Sequence, residues 1–169
     1  FVQSTLEILC ANGKSNHLQL VRSVLDRQDI FFHDDILSFL RKHGEWEDIP
    51  RIIKIAQNIR HSAYFFASSS NNTRQLHASA SVILKLGAKR VPDILGLKMQ
   101  SGLRSKLIAL IPRALFAKFG DEQLRSMMLD DNDGVRKSAA LKTVATVSQS
   151  RLQRILDRYI ANTSYYYNV

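Results

Sequence analysis

A single cysteine, Cys10, stands among 169 residues. That excludes an intrachain disulfide and any cysteine-based zinc site, and it fits a reducing compartment, so a cytoplasmic location is expected. Breakers are scarce: three prolines and seven glycines, in a chain rich in Leu, Ile, Ala, Lys and Arg. Such a composition favours helix over sheet. No apolar run approaches the roughly 18 residues of a membrane span, and no signal peptide is visible, so no membrane partner is expected. Acidic residues are few in both halves, and basic residues concentrate in the second. Residues 1–84 carry 9 Lys and Arg against 8 Asp and Glu, a balance of +1, and residues 85–169 carry 15 against 7, a balance of +8. An acidic partner for the second half would use that asymmetry, although a solvated surface alone also carries charge.

What is present begins with hydrophobic residues, 45% of the chain. They suffice for one sizeable core, so a single domain over residues 1–161 with a Tyr-rich tail at 162–169 is expected. The stretch "LDDNDGVRKSAALKTV", from Leu129, looks at first like a calcium loop. An EF-hand loop needs oxygen ligands at positions 1, 3 and 5, glycine at 6 and a bidentate glutamate at 12. With Gly134 at position 6, Asp131 and Asp133 fit, but Leu129 takes position 1 and Ala140 position 12. The cage lacks two ligands, including the one that closes it. A turn between helices is the better reading, with the aspartates capping the following helix.

An internal repeat supports it. "LCANGKSNHLQLV", "LRKHGEWEDIPRII", "LKLGAKRVPDILGL" and "FAKFGDEQLRSMML" each end an apolar-periodic run at a glycine: Gly13, Gly44, Gly87 and Gly120. Each restarts at an apolar residue: Leu18, Ile49, Val91 or Leu124. A fifth copy, "ATVSQSRLQRIL", carries Ser148 in the glycine's place. The spacings are 31, 43, 33 and 28 residues, and a polar loop at "ASSSNNT", residues 67–73, is expected to account for the long one. The glycines are expected to end helices in the left-handed conformation. Pro50, Pro92 and Asp121–Glu122 mark the starts that follow. Second breaks at "RQDIFFHDD", "MQSG" and "LDDNDG" complete helix–turn–helix units.

Amphipathic faces appear at Ile49, Ile52, Ile53, Ala56 and Ala63; at Val135, Ala139, Ala140, Val144 and Val147; and at Leu152, Ile155, Leu156, Tyr159 and Ile160. About ten helices of roughly 9 to 18 residues are predicted. No segment alternates cleanly enough for a strand. The fold class is all-α.

"LDDNDGVRKSAALKTV" closely resembles the turn and second helix of a HEAT repeat. Asp130 holds the aspartate position, Val135 and Arg136 the valine–arginine pair, Ala139 and Ala140 the small residues. Leu103–Arg104 keeps the pair without the aspartate, and the first unit has Phe31–Phe32 instead. The resemblance implies a right-handed α-solenoid of about five helical hairpins. It also implies a ladder of hydrogen bonds between stacked repeats, with Asp130, Val135 and Arg136 in structural roles. By register the chain opens in a second helix and ends in a first one, so it is expected to be part of a longer protein.

Candidate chemistry is thin. "NGKS", residues 12–15, imitates a phosphate-binding loop, but Ile8 occupies the place of that loop's first glycine and the preceding run is helical. The histidines (His17, His33, His43, His61, His77) never form the HExxH spacing. Asp34 and Asp35 after His33 sit where a helix start favours acids. No His–Glu dipeptide occurs, against the iron-binding HEAT-repeat enzymes. Trp46 is expected to pack between repeats. No catalytic set and no cofactor are expected. The expected role is a scaffold that binds another protein or a domain of its own parent chain, through Arg104, Lys106, Arg113, Lys118, Arg136, Lys137 and Lys142, some of them spent on the scaffold. The rival is a nucleic-acid binder using the same cations.

Overall fold

The computed structural model describes residues 2–27, 30, 33–58 and 69–164, and the side chains of 69–71 and 158–164 lie outside that description. The expectations for Phe31–Phe32, His61, Ala63, Tyr159, Ile160 and Tyr165–Tyr167 fall outside it too. Among the described residues the chain is all-α, with eleven α-helices and no strand: α1 Val2–Asn12, α2 Leu18–Arg27, α3 Asp34–His43, α4 Ile49–Asn58, α5 Ser69–Leu86, α6 Val91–Gly96, α7 Ser101–Leu110, α8 Arg113–Phe116, α9 Asp121–Met128, α10 Asp133–Val144 and α11 Gln149–Ser164. Three are shorter than the pattern predicts. Pro112, which has no N–H to donate, separates the four-residue α8 from α7.

Three of the four glycine stops fall where the repeat places them; at the fourth, Gly120 is the N-cap of α9, which starts at Asp121 rather than Leu124, and α8 has already ended at Phe116. α1 ends before Gly13, α3 before Gly44 and α5 before Gly87. A single 3-10 turn follows each (Ser15–His17, Trp46–Asp48, Ala88–Arg90) and delivers the chain to Leu18, Ile49 and Val91, the first residues of α2, α4 and α6. The backbone differs from the expectation. None of the seven glycines has a left-handed φ, and Gly44 is extended at φ −72°, ψ 164°. Space, rather than conformation, demands glycine there: a Cβ at Gly44 would lie 2.5 Å from the carbonyl oxygen of Leu40, and one at Gly87 would lie 2.5 Å from Cδ1 of Ile94.

The polar loop expected at 67–73 is also corrected. α5 begins at Ser69, so residues 69–73 are helical. Ser and Asn are poor in helix interiors but good in first turns, where their side chains compete for otherwise unpaired N–H groups.

The contacts divide the chain into two compact units, residues 1–103 and 104–169. In the first, α1 packs on α3, α3 on α5 and α4 on α5. The 3.6-residue spacing puts Ile49, Ile52, Ile53 and Ala56 on one buried face of α4, and Ile36, Leu40, Ala80 and Ile83 complete this core. Arg90 lies over the Trp46 ring, 4.2 Å from the centroid. In the second unit, α9 packs on α10 and α11, and α8 on α10. Its core holds Leu107, Ile108, Ile111, Phe116, Leu124, Val135, Ala139 and Ile155. The expected faces are trimmed here, because Val144 is 63% and Leu156 38% exposed.

Candidate partner-binding surface

The turn before α10 is held by its own side chains. Asn132 is the N-cap, its Oδ1 accepting from the N–H groups of Gly134 at 3.0 Å and Val135 at 3.2 Å. Asp130 Oδ1 accepts from the N–H of Asn132 at 2.9 Å. The capping role therefore falls to the amide, with Asp130 shaping the turn ahead of it. Asp133, the first residue of the helix, pairs with Lys137 at 2.7 Å. That hydrogen bond holds the exposed Asp133 carboxyl below its ordinary range.

Several of the basic residues are engaged by the scaffold. Arg104 Nη1 donates to Asp130 Oδ2 at 3.3 Å, joining α7 to the turn 26 residues later. Arg136 Nη1 donates to the carbonyls of Asp130 and Asp131 at 2.8 and 2.9 Å. Val135 between them is fully buried. Ser105 Oγ donates to the carbonyl of Gly134 at 3.0 Å and lies 2.8 Å from Ser138 Oγ. Lys142 Nζ donates to the carbonyl of Ala109 at 2.8 Å, closing one of the orphan carbonyls at the end of α7. Burial, and then the nearby charge of Arg113, lower the Lys142 pKa. In the first unit Lys85 Nζ does the same for the carbonyl of Arg41, at 2.7 Å, in the last turn of α3.

Lys106, Arg113 and Lys118 make no salt bridge among the described residues. Arg113 and Lys118 are exposed, and Lys106 is half-buried. Arg113 and Lys118 lie on α8 and the turn after it. The seven basic residues are thus divided: Arg104 and Lys142 tie α10 and its turn to α7, Arg136 holds the turn before α10, Lys137 pairs with Asp133, and Lys106, Arg113 and Lys118 make no ion pair among the described residues.

The first unit has its own ionic ladder, absent from the sequence reading. Asp48 is fully buried. It accepts from Arg22 Nε at 2.7 Å, from Arg51 Nη1 at 3.1 Å and from the N–H of Glu45 at 2.9 Å. Arg51 also reaches Asp26 at 2.7 Å. Burial pushes the Asp48 carboxyl up, but the hydrogen bonds from Arg22 and the Glu45 N–H outweigh it and hold the group below the usual range. One signal was available: at the breaks marked by Gly13, Gly44 and Gly120 a polar side chain captures the backbone N–H of the residue three before it. His17 takes that of Lys14, Asp48 that of Glu45, and Gln123 that of Gly120.

His33 is the N-cap of α3, its Nδ1 accepting from the N–H of Asp35 at 3.3 Å. Among the described residues no three His, Cys, Asp or Glu side chains gather as a metal site, and no helix is long and apolar enough to cross a membrane. Cys10 is buried, and burial first, then Asp35, push its thiol up to about 12. It is therefore a poor nucleophile. No protein-family model, curated protein or solved structure matches the chain.

Proposed function

We propose that this chain is a HEAT-like α-solenoid module, a right-handed stack of about five helical hairpins, that binds another protein or a domain of its own parent chain. The observation that carries the reading is the Arg104–Asp130 contact, which joins two successive copies of the turn-and-helix motif by the pair of residue types that forms the ladder between HEAT repeats. The succession α1 on α3 on α5 supports it, as does the recurrence of glycine, 3-10 turn and apolar helix start. Stacked hairpins offer a long surface of second helices with no need for a catalytic cleft. The module is read as non-catalytic and cytoplasmic, and Lys106, Arg113 and Lys118 as its available cations.

The second reading, nucleic-acid binding, is favoured by the +8 balance of residues 85–169. Fluorescence anisotropy with DNA and RNA across a salt series separates the two. A nucleic-acid binder with about six phosphate contacts loses affinity steeply with salt yet retains useful binding at physiological ionic strength. The interaction module binds weakly at low salt and not measurably near about 150 mM. Sub-micromolar binding there (about −8 kcal/mol or better), lost in Lys106→Glu/Arg113→Glu, would replace the protein-binding reading.

A further inference from the structure

Helices α3 and α5 are fastened to each other at two points. Arg74 donates to the Asp34 carboxylate at 2.7 Å, and Lys85 Nζ donates to the carbonyl of Arg41 at 2.7 Å. Between these bridges the two helices leave a cavity of about 320 Å³. Its polar lining comes from both sides, Ser38 and Arg41 on α3, His77 and Ser81 on α5. Asp34, Ser38 and Arg41 fall at i, i+4 and i+7 along one helix face, and His77 and Ser81 at i and i+4 along the other. Leu37, Ala78 and Val82 supply the apolar part of the lining, with Leu37 and Val82 buried.

The gap has a cause in the sequence. Val82 and Ala78 stand five and nine residues before Gly87, the places that Phe39 and Asp35 take before Gly44. In α3 those two side chains face α1 and the turn after it. A Cβ at Gly13 would lie 2.8 Å from the Phe39 ring, and the charge of Asp35 acts on Cys10. Smaller side chains at the same places in α5 leave space against α3. The polar groups around that space are not used by the fold. Among the described residues the side chains of Ser38, Arg41, His77 and Ser81 have no hydrogen-bond or ion-pair partner. Asp34 is already matched by Arg74, and Lys85 rests on a neutral carbonyl, so the charge left at the cavity is positive. Such a lining favours an anion.

We propose that the cavity between α3 and α5 binds a phosphate monoester carried on a small apolar body. A guanidinium, an imidazole N–H and two hydroxyls line one space. A carboxylate brings two oxygens to such a donor set, whereas a phosphate monoester brings three terminal oxygens and nearly twice the charge. The Arg41 fork suits two of those oxygens, and His77, Ser38 and Ser81 serve the third and the ester oxygen. Leu37, Ala78 and Val82 cover the apolar body. The site goes beyond the interaction-module reading and does not depend on it.

The test is isothermal titration calorimetry of the full chain with phenyl phosphate, with benzoate, and with a phosphoserine peptide and its unphosphorylated form. Phenyl phosphate should bind about tenfold more tightly than benzoate, with about tenfold loss in Arg41→Ala and about threefold loss in His77→Ala. Ser38→Phe, which puts a ring into the cavity, should abolish binding. Lys89→Ala removes an exposed cation that does not line the cavity, and it should leave binding unchanged. Ser38, Arg41 and His77 are exposed, so none of these variants should shift the unfolding midpoint. A phosphoserine peptide that binds more tightly than phenyl phosphate supports the site and assigns its ligand to a modified protein. One that binds more weakly supports it and assigns the ligand to a free small molecule. No binding of phenyl phosphate or phosphopeptide up to about 10 mM, well beyond the millimolar limit of a useful site, overturns the proposal. So does equal loss in Lys89→Ala and Arg41→Ala, which would reduce the effect to diffuse charge, or binding unchanged in Ser38→Phe, which would place it elsewhere. Equal binding of the phosphorylated and unphosphorylated peptides, with no heat from phenyl phosphate, overturns it as well.

Discussion

Arg22 Nε lies 2.7 Å from Oδ1 of Asp48, a carboxylate with no exposed side-chain surface. The pair joins α2 to the turn before α4, 26 residues on, and Arg51 closes it from the other side at 3.1 Å. Asp48 also serves locally, accepting the Glu45 N–H. One residue thus shapes its own turn and fastens a neighbouring helix to it.

Removing that carboxylate leaves the Arg22 guanidinium, whose side chain is 13% exposed, without its principal partner. Asp48→Ala should cost about 3–5 kcal/mol in urea unfolding, the range for breaking a buried pair from one side. The pH dependence follows from the depressed carboxyl. A folded-state pKa below the unfolded value, about 4, gives stability that is complete above that pH and lost as pH falls through the folded value. Unfolding measured between about pH 7 and pH 3 should therefore show a steep acid limb in the wild type and a shallower one in Asp48→Asn.

At the turn before α10, the same physics predicts two magnitudes. Val135 is fully buried, so Val135→Asp should destabilise by several kcal/mol through an unpaired charge, on the order of 3 or more. Asn132→Ala should cost about 1 kcal/mol, the usual value of an N-cap. Calcium should leave both the wild-type midpoint and these differences unchanged. A calcium-dependent rise in midpoint that Asp131→Ala abolishes would restore the metal-loop reading.

The glycines separate conformation from space. A Cβ at Gly44 would press on the Leu40 carbonyl oxygen, which also accepts the Gly44 N–H at 2.8 Å. Gly44→Ala should therefore cost about 1–3 kcal/mol, as overpacking does. Nothing lies within 4 Å of a Cβ at Gly96, the last residue of α6. Gly96→Ala should be neutral or stabilising by up to about 1 kcal/mol, through the unfolded chain. Differential scanning calorimetry of the two variants checks the contrast.

These cases show what was legible in the sequence. The glycine stops at Gly13, Gly44 and Gly87, the starts at Leu18, Ile49 and Val91, and the turn before Val135 were readable because breakers and apolar periodicity are local, although the cap there is Asn132 and not an aspartate. The backbone at those glycines was not, because crowding by the Leu40 carbonyl or by Ile94 arises only once the turns are packed. Arg22–Asp48 and Arg104–Asp130 each span 26 residues, a separation at which sequence names the charges and only packing chooses the partners. In α10, apolar residues at 135, 139–141 and 144 surround much of the helix. Periodicity alone placed Val144 inside, whereas the fold leaves it and Leu141 outside. Pro112 was the readable sign of the break before α8 and was missed.

The cations of the second unit divide into those held by carboxylate and carbonyl partners, Arg104 and Arg136, and those without an ion pair among the described residues, Lys106 and Arg113. Equilibrium urea unfolding of Arg104→Ala, Arg136→Ala, Lys106→Ala and Arg113→Ala, compared side by side, tests this division most directly. The account predicts losses of about 1–3 kcal/mol for Arg104 and Arg136, whose carboxylate and carbonyl partners are left unmatched. It predicts changes within about 0.5 kcal/mol for Lys106 and Arg113, as for surface side chains free of such contacts. Losses confined to Lys106→Ala and Arg113→Ala, with Arg104→Ala and Arg136→Ala neutral, would contradict it.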